Sequence, residues 1–175
     1  MIEQIIHSVL LALHNIALVG CAAAPFYNRA LVLKRGHYGP KLHYELDKVV
    51  EDTLQGNAPY CMVFIAVLFA TGIGIPLNHY FFHGAFRELH AVAWVAVGLK
   101  LACVFAMMVI MGQIFFGLNP RLREMFATFE AGKAPPPERE KEFFQTRARR
   151  KALCETCLKF AIGVLVFSAF IGFGA

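Results

Sequence analysis

AVAWVAVGLKLACVFAMMVIMGQIFFG, residues 91–117, holds a single formal charge in 27 residues, Lys100. That length exceeds the roughly 20 apolar residues that carry a helix across a bilayer. A lysine at the centre of such a helix costs about 2.5–3.5 kcal/mol on insertion scales. A polar partner, a water-filled cavity or a ligand has to offset that cost, so the surroundings of Lys100 decide how the remaining chain is read.

Composition points to the same class. Apolar residues make up 58% of the 175, with Phe at 17 positions, and mean hydropathy is +0.54. A soluble domain of this length buries an adequate core with far less. Three more apolar runs, at about 5–24, 59–75 and 158–173, complete a set of four. The expected fold is all-α: an integral membrane, antiparallel four-helix bundle, one transmembrane domain over 1–175, with amphipathic cytoplasmic segments. The start, MIEQ, carries no basic n-region, so the first run reads as an uncleaved span.

The connections differ in charge. Residues 27–58 hold five Lys or Arg and 119–156 hold nine, whereas 77–90 hold only Arg87. The positive-inside rule then sets both termini and the short connection on the periplasmic side of a bacterial inner membrane. Basic residues gathered between apolar spans account for the net charge of +5 without nucleic acid; the lipid bilayer is the expected partner. Residues 36–40, GHYGP, read as a turn. Leu42, Leu46, Val49, Val50 and Leu54 recur at helical steps, and Gly56-Asn57-Ala58-Pro59 should end that short helix. Pro76 should close the second span. The second long connection reads as an amphipathic helix at 119–131, a GKAPPP linker, and a charged helix at 138–153.

Depth singles out two residues. His14 lies 11 residues beyond Glu3 on the first helix, and Lys100 lies 10 beyond His90 on the third. At 1.5 Å per residue both sit about 15–17 Å deep, near the midplane. Two ionisable groups at one level on different helices imply a shared polar interior, and make His14 and Lys100 the candidate ligand or proton site. His7, His14, Cys21 and Asn28 repeat every seven residues along one stripe, whose simpler role is to join helices.

At the outer boundary, His7, His79, His83 and His90 are candidate metal ligands; His79 and His83 have the i, i+4 spacing that puts two imidazoles on one face. Met107, Met108, Met111 and Cys103 are soft groups suited to copper(I). Belt histidines and packing methionines account for the same residues without a metal. Cys154 and Cys157 form a CxxC that reads as the start of the last helix, where a helix N-terminus lowers thiol pKa. In a reducing compartment the five cysteines are expected as thiols. There is no nucleotide-binding glycine loop and no hydrolytic triad.

LHNIALVGCAAAPFYNRALV, residues 13–32, resembles the first helix of the HemJ-type protoporphyrinogen oxidases and the related CopD-like membrane proteins. Those carry a His, an aliphatic stretch, small residues, then Phe-Tyr and a basic residue. Tyr44-Glu45-Leu46 and Lys100 also resemble that family, over roughly residues 10–120 in all. In the family another His precedes the helix-three Lys and helix one carries a Trp. Val97 and Gly98, and Cys21, stand in those neighbourhoods here, so His14 and Lys100 alone carry over.

The resemblance implies a haem or porphyrin redox protein, an oxidoreductase if an enzyme. Haem b would lie between helices one and three, with Gly20, Ala22 and Ala23 leaving room. His14 would serve as axial ligand or proton carrier, and Lys100 would meet a propionate or relay protons. The iron is expected to be five-coordinate unless Met107 approaches it. A quinone or respiratory-chain partner would take the electrons. The alternatives are CopD-like copper handling through the outer histidines and helix-three sulfurs, or a non-catalytic structural subunit of a membrane complex. A homo-oligomer is compatible with each.

Overall fold

A computed structural model describes residues 1–39, 41–86 and 90–171. Pro40 of the expected turn, Arg87 of the short connection and Phe173 at the expected end of the last span lie outside the described residues. The chain forms α1 (Ile2–Gly36), α2 (Tyr44–His83), α3 (Ala91–Gly112), α4 (Asn119–Ala127) and α5 (Pro137–Ile171). A π-helical turn at Gln113–Leu118 joins α3 to α4 without a break, so one helical rod runs over Ala91–Ala127. With α1, α2 and α5 it makes four helices long and apolar enough to cross a membrane. The protein is an all-α four-helix bundle of the multi-pass membrane class, and the described residues include no strand.

The helices outrun the boundaries that proline and glycine mark in the sequence. α2 continues through Gly56 and through Pro59 and Pro76, which were expected to end segments. α1 likewise passes through Pro25 to Gly36. A proline deletes one backbone donor, a loss that neighbouring groups cover, whereas opening the helix inside a bilayer would strand several donors and acceptors at once. The charged helix at 138–153 and the last span are one element, α5, so Cys154 and Cys157 stand mid-helix. The thiol activation expected of a helix N-terminus therefore has no structural basis.

α1 packs along α2, α3 packs along α5, and α1 against α5 joins the two pairs. Small residues set the α1–α2 spacing: a methyl added at Gly20 would come within 2.5 Å of the Phe64 ring, and one at Gly74 within 3.3 Å of Leu10. Elsewhere the spans bury little of themselves, only 11–17% of their most apolar windows. The bilayer solvates the rest. Dense packing sits instead at the charged end, where Leu122, Met125, Phe129 and Phe143 form a buried cluster and Tyr44 stacks on Phe126 at 5.3 Å.

Beside that cluster lies a chain of buried charges. Asp47 and Glu51, one turn apart on α2, are fully enclosed, and Arg35, Arg147 and Arg150 around them are each 5% exposed or less. Arg35 donates to both Asp47 oxygens, at 2.5 and 2.8 Å, and to the carbonyls of Gly39 and Lys41. Arg147 Nη1 donates to Asp47 Oδ1, and its Nε lies 3.3 Å from Glu51 Oε1. Arg150 grips Glu51 with two bonds of 2.7 and 2.8 Å and reaches Asn119 Oδ1 at 3.3 Å. The cluster pins α1, α2, α5 and the start of α4 in one register.

Burial by itself would push the Asp47 carboxyl up; the bonds from Arg35, Arg147 and the His43 backbone N–H outweigh it and hold the group below its usual 3.8. A carboxyl depressed in the fold lends stability that is complete above its unfolded value and fades as pH falls through the folded one. Asp47→Asn leaves two buried guanidiniums short of a counter-charge, a loss of about 3–5 kcal/mol. Thermal unfolding in detergent at neutral pH should show that loss, and the gap from wild type should narrow below pH 3.8. A variant that melts with wild type at neutral pH would deny the cluster its role.

Candidate functional site

His14 is half-buried on the α2-facing side of α1, with Nδ1 2.9 Å from Thr71 Oγ1. Thr71 is buried, and its hydroxyl lies 2.6 Å from the carbonyl oxygen of Val67, one turn back on α2. A hydroxyl has one proton to give. With that proton on Val67, Oγ1 can only accept from the imidazole, so Nδ1 carries the hydrogen and Nε2 keeps its lone pair. Fixing one ring nitrogen through a hydrogen bond is how proteins orient a histidine that ligates through the other.

Lys100 is half-buried on α3. Among the described residues it has no ion-pair or hydrogen-bond partner. α3 leans on α5, and neither α1 nor α2 packs extensively against it among the described residues. The His14–Lys100 level is therefore bordered by two helix pairs that meet mainly through α1 and α5.

Other parts of the predicted site fall elsewhere. The room expected beside Gly20 is taken by Phe64. Met107 and Met111 pack on Ile110, Ile114, Leu118 and Cys157, and Cys103 faces Gly163, so these α3 sulfurs point to α5. Of the heptad stripe, Cys21 is buried and Asn28 bonds Asn57 at 3.2 Å, while His7 is exposed. Cys61, Cys154 and Cys157 line a cleft of about 40 Å³ at the charged end, together with Asn57, Asn119 and Arg150. That volume suits one or two waters.

At the opposite end of the α1–α2 pair, three donors converge. Glu3 Oε1 lies 2.9 Å from His83 Nε2 and 3.9 Å from His79 Nδ1. One ligand atom from each of the three residues falls within 4.8 Å of the other two. His7 and His90 are exposed and stand outside the group. Glu3 and Thr71 are the participants that sequence reading missed. Glu3 needs the α1–α2 pairing to be known, and a lone Thr in an apolar span is unremarkable.

Family models, curated proteins and solved structures were each compared with this chain, and none matches it.

Proposed function

We propose that the protein is a membrane redox protein that holds a tetrapyrrole, haem b or a porphyrin, at His14 and Lys100. The observation behind this reading is a half-buried lysine with no polar partner among the described residues and a histidine whose Nε2 is free, level by residue count and on helices α3 and α1 that do not pack extensively on each other. The donor set fits the group. A neutral imidazole with its far nitrogen tied to Thr71 suits a b-type haem, and a cation at the same residue depth would match a propionate. Such a group, when bound, supplies one-electron transfer.

The chain's own residues have defined tasks in this reading. Thr71 holds the His14 ring and its tautomer; His14 Nε2 would be the iron ligand. Lys100 neutralises a carboxylate and thereby offsets its own cost in the bilayer. No second histidine reaches this level, since His7 and His90 lie about 10 Å or more of helical rise away. The electron partner implied is a quinone or a respiratory-chain protein. The copper-handling alternative needs the outer histidines and the α3 sulfurs together, and these face different neighbours.

The arginine-rich end is cytoplasmic in this reading, with both termini on the periplasmic side of a bacterial inner membrane, because 14 of the 17 basic residues lie in the two long connections. A C-terminal fusion should be active with a periplasm-dependent reporter and silent with a cytoplasm-dependent one; the reverse pattern overturns the orientation.

Protein purified in detergent from haem-supplied cells should show a Soret band. His14→Ala should abolish it with the helical signal intact, and Lys100→Met should weaken haem retention roughly tenfold or more, the scale of one charge-assisted bond. A missing Soret band, or one that survives His14→Ala, removes the assignment and leaves a structural subunit.

A further inference from the structure

The Glu3, His79 and His83 cluster lies outside the proposed tetrapyrrole site. His79 is eight residues beyond Thr71 on α2, about 12 Å of rise, so the two sites stand at different depths. Its geometry calls for an explanation of its own. A simple hydrogen bond from His83 to Glu3 accounts for the 2.9 Å contact. It leaves His79 unexplained: Nδ1 sits 3.9 Å from the same oxygen, beyond hydrogen-bond reach, and the two imidazole rings face each other at 4.4 Å with a 31° tilt. Two imidazoles and one carboxylate with converging donor atoms are instead three of the ligands of a metal ion.

We infer that Glu3, His79 and His83 bind one divalent transition-metal ion of borderline softness, zinc(II) in type, at the histidine end of the α1–α2 pair. Mixed nitrogen and oxygen donors select such an ion over the soft copper(I) that sulfur ligands would take. Tetrahedral bonds of about 2.0–2.1 Å hold neighbouring donors roughly 3.3 Å apart, so the present spacings close with side-chain shifts of about 1 Å.

Helix ends assist. His83 is the last residue of α2, where the carbonyl end of the helix dipole favours a cation, and Gly84 adopts a left-handed φ of 70° that turns the chain away. Glu3 lies in the first turn of α1, a favourable place for its negative charge. Three protein ligands leave a fourth position, and the 52% exposure of His83 leaves it open to water. The ion would clamp the free end of the α1–α2 pair, at the end opposite the arginine cluster.

Tag-free, haem-free protein, stripped with a chelator, is titrated with zinc(II) by calorimetry in detergent. One equivalent should bind. Glu3→Gln, His79→Ala and His83→Ala should each weaken binding by at least roughly 10–100-fold, the loss seen even for groups that only orient a ligand. His7→Ala and His90→Ala should leave it unchanged. X-ray absorption at the zinc edge of the wild-type complex should read two imidazoles and a carboxylate at about 2.0–2.2 Å, a test that needs no variant. No binding to wild type, affinity indifferent to His79→Ala and His83→Ala, or a sulfur-rich first shell overturns the site. The His83→Ala protein should keep any Soret band, so the metal site and the tetrapyrrole reading can fail separately.

Discussion

Five buried charges at one end of the bundle constrain the rest of it. Asp47 and Glu51 on α2 can be enclosed only if Arg35 of α1 and Arg147 and Arg150 of α5 arrive in register around them. Replacing such a cluster with well-packed apolar residues is often neutral or stabilising, so its value here is better sought in specificity than in net stability. A one-residue slip of any of the three helices would leave a charge buried and alone, at a cost of several kcal/mol. The aromatic cluster of Phe126, Phe129 and Phe143 seals the same end.

With register set there, the spans above do not have to close tightly on one another. α1 and α2 meet through Gly20 and Phe64, α3 follows α5, and lipid covers most of the remaining apolar surface. His14 and Lys100 stand on α1 and α3, which do not pack extensively against each other among the described residues. The Glu3, His79 and His83 cluster marks the far end of the α1–α2 pair.

Much of this was legible in the sequence, for identifiable reasons. Four apolar runs at bilayer length and two basic connections announce a membrane bundle, since few other folds tolerate them. Counting residues marked out His14, and the α1–α2 pairing supplied the Thr71 partner that fixes its ring. Helix ends were harder to read: Pro59 and Pro76 signal breaks in water, where exposed backbone is solvated, but not inside a membrane helix. The arginine cluster hid within segments that read as polar connections. Asp47 and Glu51 at i, i+4, and Arg147 and Arg150 at i, i+3, share faces, but nothing in one helix says that its charged face will meet another's. Glu3 and Thr71 became visible only once α1 and α2 were paired.

If a haem is held at His14 as proposed, His14 alone would ligate its iron. Electron paramagnetic resonance of the ferric, haem-loaded protein tests it most directly, because spin state reports axial ligation. With His14 through Nε2 as the sole protein ligand, and no second histidine at its depth, the account predicts a high-spin ferric signal that disappears in His14→Ala. A low-spin bis-histidine signal, or a high-spin signal unchanged by His14→Ala, would contradict it.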